Sequence, residues 1–318
     1  MKKQIFLLTA LAFLAVTANA NKWRVNNTPG IDADFTTFKA AHDGASSGDT
    51  LYFEGSPTAY GTNDTITKQL VIIGPGYFLN ENDTTQAYVV SAKMHGLAFL
   101  PGSAGSVVAG MHFTWSVDLG ANNITIERNF INFFLHLYAY VDDSYLGCAN
   151  CIIKQNYITA AIQGTDYAAA SNILISNNIM EERMRFYSNS SAIIENNIII
   201  SSSYTECIDV HNSTIRNNIV VGTIDTNTGN LIENNLTNIT QSDVFILTGS
   251  TDGQYKLKDG SPAIGAGHSG VDCGIFGGSQ PYVLSGIPAG PHIFDASVST
   301  SGSTESGLPV TLKIKTQN

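Results

Sequence analysis

Charged residues are sparse in this chain, and one group of them is denser than the rest. Glu181, Glu182, Arg183 and Arg185 lie almost side by side, and Glu206, Asp209 and His211 follow some twenty residues later. An arginine can neutralise or deprotonate an acidic sugar. A histidine moves protons near neutral pH, and an aspartate can orient that histidine or hold a cation. Arg185, Asp209 and His211 are therefore the candidate catalytic residues. Tyr138, Tyr140 and Tyr145 could wall a sugar-binding groove by stacking, with Asp143 and Arg183 as further substrate contacts. The same residues have a plainer reading. The charges could pair across a solvated face, each pair worth about 0–1 kcal/mol, and the tyrosines could pack beneath a long loop.

What would bring these residues together is a repeat. Ile126-Glu127-Arg128-Asn129-Phe130, Ile153-Lys154-Gln155-Asn156-Tyr157 and Ile175-Ser176-Asn177-Asn178-Ile179 share one pattern, and three further copies centre on Asn197, Asn218 and Asn235. Steps between the aligned asparagines are 27, 22, 19, 21 and 17 residues. A unit of this size cannot bury its own apolar face, so copies must stack. Asparagine tolerates the left-handed backbone of a sharp turn, and stacked amides can bond into a ladder. The segment Val107-Val108-Ala109-Gly110-Met111 aligns one step earlier, with Met111 in the asparagine position. Residues between the asparagines then form a stripe: Asp118, Asp142 or Asp143 with Tyr145, Gln163 and Asp166, Arg185, Asp209 and His211, and Asp225. Rungs of a parallel sheet lie about 4.8 Å apart, so residues several coils apart can share one groove.

The flanks frame this stack. Phe35, Phe38, Ala41 and Ala45 predict an amphipathic helix over residues 34–45, with Asp34 as its N-cap and a role in covering the first coil. Strands are expected at 50–53 and 69–73. No long helix is expected between residues 105 and 250. The glycine-rich stretch after Thr248 suggests tight turns where the stack closes. Val310-Thr311-Leu312-Lys313-Ile314-Lys315 alternates as an edge strand guarded by lysines.

Residues 1–20 read as a signal peptide: Lys2 and Lys3, an apolar run, then Ala18-Asn19-Ala20, with cleavage between Ala20 and Asn21. Export to the periplasm or beyond is expected, with no membrane insertion. A net charge of −10 with only 13% charged residues argues against a nucleic-acid partner. Cys148 and Cys151 are spaced for a local disulfide, or all four cysteines are buried small apolar residues; Cys207 and Cys273 are too scattered to complete a zinc site.

The helix followed by Gly48-Asp49-Thr50-Leu51-Tyr52, the rung Val71-Ile72-Ile73-Gly74, the asparagine repeats and the closing Asp259-Gly260-Ser261-Pro262-Ala263-Ile264-Gly265-Ala266-Gly267 to Gly274-Ile275-Phe276-Gly277-Gly278 carry a resemblance. Together they resemble the secreted bacterial right-handed parallel β-helix proteins of the pectin-lyase-like class. The resemblance implies an all-β, single-stranded parallel β-helix over residues 21–285 with an N-terminal capping helix. A C-terminal tail over 286–318, bearing a strand or hairpin, would pack on it. The class holds lyases, hydrolases, epimerases and non-catalytic binders, and fold alone does not choose among them. Its hydrolases use clustered Asp residues with Gly-His-Gly and Arg-x-Lys; here there is no Gly-His-Gly, and Arg216 lacks the following Lys. The expected function is to bind or process polysaccharide or surface glycan along one face, with uronate-lyase-like chemistry. The alternative is a non-catalytic glycan- or protein-binding or structural surface protein. A monomer is expected. No cofactor is evident, calcium is allowed, and no metal ligands can be named.

Overall fold

The computed structural model describes residues 20–82, 84–305 and 307–317. The expected signal sequence falls almost wholly outside them. The described chain is a parallel β-helix with three long sheets of ten, eight and seven strands. One coil shows how the sequence builds it. Thr125–Glu127 lies in the ten-stranded sheet, Phe130–Ile131 in the seven-stranded sheet and Leu135–His136 in the eight-stranded sheet. The next coil repeats this with Ile152–Lys154, Tyr157–Ile158 and Ile162–Gln163, each strand in parallel register with its predecessor. Ile126, Ile153, Ile175, Ile194 and Ile215 stack inside with no exposed surface. Burying each such side chain contributes about 1.5–3 kcal/mol.

The asparagine ladder is present, but its turn is divided between two positions. Asn129, Asn156, Asn178, Asn197 and Asn218 are fully buried. The left-handed backbone belongs to the residue before each of them: Arg128, Gln155, Asn177, Asn196 and Asn217 all have φ between 52° and 56°. This explains why Asn-Asn recurs, the first residue for conformation and the second for hydrogen bonding. One step earlier Gly110 (φ 72°) fills the left-handed position. Met111 holds the ladder position, where its backbone N–H donates to Asn129 Oδ1 at 3.0 Å.

The helix is shorter than the pattern predicts, Phe38–Gly44, because Thr37 caps it: Thr37 Oγ1 accepts from the Ala40 N–H. Asp34 instead accepts from the Arg24 backbone. Phe38 and Ala41 join the N-terminal end of the main core. All four cysteines are free and buried.

The glycine-rich segment does not simply close the last coil. It runs back along the outside of the seven-stranded sheet. The row of left-handed residues tethers it in reverse order: Asn217 Nδ2 donates to Ala266 O (2.9 Å), Asn196 Oδ1 accepts from His268 N (2.9 Å), Asn177 Nδ2 donates to Gly274 O (2.8 Å), Gln155 Nε2 to Gln280 O (2.6 Å) and Arg128 Nη1 to Ile287 O (2.9 Å). A second core forms beneath this strap, where Ile179, Ile198 and Ile219 meet Phe245, Tyr255, Ile275 and Tyr282. The outer face of the seven-stranded sheet is thereby buried from Tyr157 to Ile219, while Lys93, His112 and Phe130 remain half-buried. The tail ends in an antiparallel hairpin, Gly290–Val298 with Val310–Gln317, docked where Ala87 N donates to Ile293 O at 2.9 Å.

Candidate functional site

The strap leaves two long sheets with an outer face in solvent. On the ten-stranded sheet the outward positions carry aliphatic residues such as Ile152, Leu174 and Ile193, with cross-coil pairs Lys154–Glu127 and Arg216–Glu195. The eight-stranded sheet is different. Four of its coils carry an apolar-polar-apolar triplet, Val117-Asp118-Leu119, Leu135-His136-Leu137, Met184-Arg185-Phe186 and Ile208-Asp209-Val210, whose outer residues are buried and whose middle residue is half-buried. Along it Ala98, Asp118, His136, Gln163, Arg185 and Asp209 stand in register on successive coils. From Asp118 to Asp209 the row crosses four steps, about 19 Å.

Two pairs of neighbours in this row touch. His136 Nδ1 lies 2.7 Å from Asp118 Oδ1. Arg185 Nε lies 3.5 Å from Asp209 Oδ2, and Asp209 also accepts from Asn227 Nδ2 at 2.9 Å. Among the described residues the Arg185 guanidinium makes no other ion pair. Both arginines lie over rings, Arg185 above Tyr187 at 5.2 Å and Arg183 above Tyr204 at 4.1 Å.

Aromatic rings border the row on either side. His95, Trp115 and Phe133 stack on successive coils, with 5.5 and 4.0 Å between centroids. Phe134 and Tyr138 flank His136 at 5.4 and 4.9 Å. The insertion between the first two asparagine repeats is a hairpin, Tyr138–Val141 with Ser144–Ala149. Asp142 and Asp143 form its two-residue turn, both at positive φ (48° and 57°), the backbone a tight hairpin demands. Asp143 accepts from the Tyr140 hydroxyl at 3.2 Å. Tyr145 stacks on Tyr167, which is 76% exposed, with centroids 5.0 Å apart. Burial, then the charges of Asp118, Tyr145 and Tyr187, push the Tyr138 hydroxyl above its usual range.

The structure thus brings Arg185 and Asp209 together. It sets His211 two residues past Asp209, half-buried, with no side-chain hydrogen bond among the described residues. Tyr138, Tyr140 and Tyr145 gather on the hairpin beside the row, and Asp166 sits in a loop outside it. His136 escaped the sequence reading. The alternation Leu135-His136-Leu137 matches Val117-Asp118-Leu119 and Met184-Arg185-Phe186 and could have revealed it. Among the described residues, no three His, Cys, Asp or Glu side chains gather as a metal site, and no helix is long and apolar enough to cross a membrane. A separate cavity of about 680 Å³ lies between the first coils and the tail, lined by Tyr52, Tyr88, Pro75, Pro288 and His292 among others. The chain matches no family model, no curated protein and no solved structure.

Proposed function

We propose that this is a secreted protein of the pectin-lyase-like class that binds a polysaccharide along the outer face of its eight-stranded sheet. An acidic sugar unit would lie over Arg185, with lyase-like chemistry on that unit. The observation that carries the reading is the in-register row Asp118, His136, Gln163, Arg185 and Asp209, bordered by rings. A parallel sheet with one hydrogen-bonding side chain per coil offers an extended polymer evenly spaced contacts. The arginine suits a carboxylate, because a planar guanidinium can bind it through two parallel bonds. Exposed Tyr167, stacked on Tyr145, favours a second reading in which the face only binds glycan, since such a platform needs no chemistry.

The test is retention of the full-length chain on a panel of uronate and neutral polysaccharides, with and without calcium, alongside ultraviolet absorbance of unsaturated products. Retention on uronate polymers with product release is the expected result. Retention without product leaves the binding-only reading. Neither retention nor product on any polymer overturns both.

A further inference from the structure

We infer that His136, oriented by Asp118, is the proton-abstracting base of this face, and that cleavage takes place over Gln163, between His136 and Arg185. The inference rests on the proposed acidic-glycan face and assigns its chemistry to residues that face alone does not identify. Three features single out His136. Its Nδ1 is held by Asp118 at 2.7 Å, so Asp118 accepts the Nδ1 proton and Nε2 is left with its lone pair. Its ring is held between Phe134 and Tyr138, two residues before and two after it, which limits rotation. Nε2 has no hydrogen-bond partner among the described residues. His211 lacks any such orienting carboxylate.

Spacing also favours the pair His136 and Arg185. They stand two coils apart through Gln163, about 9.6 Å at ~4.8 Å per step. A base nitrogen about 3.2 Å from a C–H carbon, a carboxylate oxygen ~2.4 Å beyond that carbon and a guanidinium ~2.8 Å beyond the oxygen together span roughly 8 Å. One sugar ring therefore fits between base and arginine, with the Gln163 amide below it. In the step, His136 Nε2 takes the proton from the carbon bearing the carboxylate. The C–H electron pair becomes a carbon–carbon double bond, and the bond from the adjacent carbon to the glycosidic oxygen breaks. The leaving oxygen takes a proton from water, and the imidazolium returns its proton to solvent. Arg185 stabilises the charge that builds on the carboxylate.

Two measurements on the full-length chain test this. Nitrogen-15 spectra of the histidines at alkaline pH need no ligand. The Nδ1–H tautomer is expected for His136 in the wild type, shifting towards Nε2–H in Asp118→Ala; an Nε2–H tautomer in the wild type overturns the proposal. On whichever uronate polymer the wild type cleaves, His136→Gln, whose amide can still hydrogen-bond at that place in the row, is expected to lower the initial rate at saturating polymer at least about 100-fold. A rate within a few-fold of wild type overturns the proposal. So does a wild type that retains uronate polymers but releases no product, although the binding face then stands. Absence of retention with the expected tautomer shows instead that the glycan reading has failed, and the catalytic assignment falls with it.

Discussion

Asn129 and Asn156, one coil apart, are joined twice: the backbone N–H and the side-chain Nδ2 of Asn129 both donate to Asn156 Oδ1, at 3.0 and 3.2 Å. The same pair of hydrogen bonds recurs from Asn156 to Asn178, Asn178 to Asn197, Asn197 to Asn218 and Asn218 to Asn235. From Asn129 to Asn218 each Nδ2 also reaches carbonyls on its own and the preceding coil, as Asn156 does to Lys154 and Ile126. The ladder thus pairs backbone groups that the corner would otherwise bury unsatisfied.

Asn156→Ala removes the acceptor for two donors of Asn129 and the donor to Ile126 O, all buried. Each buried polar group left unpaired costs about 1–3 kcal/mol, so a loss of about 3 kcal/mol or more is expected. Asn235→Ala, at the half-buried last rung, should cost less. Denaturant unfolding of both variants checks the order, and an equal cost would show that burial does not set what a rung contributes.

Arg128 occupies a left-handed turn position and is only 4% exposed. It donates to Gln155 Oε1 at 2.9 Å and to Ile287 O at 2.9 Å. Arg128→Gly keeps the left-handed backbone without strain and removes every side-chain donor to the strap. Proteolysis within residues 279–290 should therefore quicken, with a stability loss of about 2 kcal/mol from the abandoned carbonyl and amide. Timed digestion followed by mass spectrometry checks this, and an unchanged cleavage rate would show that the second core holds the strap unaided.

Burial, and then the neighbouring Lys93, pushes His112 down to about 4 from an ordinary 6.5. The unfolded chain takes up this proton near its ordinary value while the folded chain refuses it. The stability that His112 contributes is thus complete above about pH 6.5. It falls as the pH drops through the interval and is lost below about pH 4, a change on the order of 3 kcal/mol. His112→Gln should flatten this part of the pH dependence. Urea midpoints at about pH 7.5 and about pH 4.5 for both proteins give the comparison.

The stack was legible because identical residues recur at one place: Ile inside and Asn in the ladder give a period that survives changes of loop length. The left-handed position was not, because Arg128, Gln155 and Asn177 share a backbone shape without sharing a residue type. The path of the strap rests on those same varied side chains meeting backbone carbonyls, a contact that leaves no pattern in sequence. Helix length was overestimated because the apolar spacing begins at Phe35, whereas the start of a helix depends on the cap, here Thr37. His136 was passed over because the inserted hairpin lengthens its coil and draws attention to Asp142 and Asp143, which are turn residues.

Arg185 and Arg216 provide a matched contrast. Both pair with a carboxylate across neighbouring coils, Arg185 with Asp209 at 3.5 Å and Arg216 with Glu195 at 2.7 Å, but on different sheets. A partly exposed pair of this kind contributes about 0–1 kcal/mol, so Arg185→Gln and Arg216→Gln should each unfold within about 1 kcal/mol of wild type. Only the first lies among the rings and hydrogen-bonding groups of the proposed glycan face. Arg185→Gln should therefore weaken retention on uronate polymers about tenfold or more, the loss expected for a charged hydrogen bond, while Arg216→Gln leaves it unchanged. If the two variants lose retention equally, attraction of the polymer is a property of overall charge rather than of the row, and the assignment of the eight-stranded face fails.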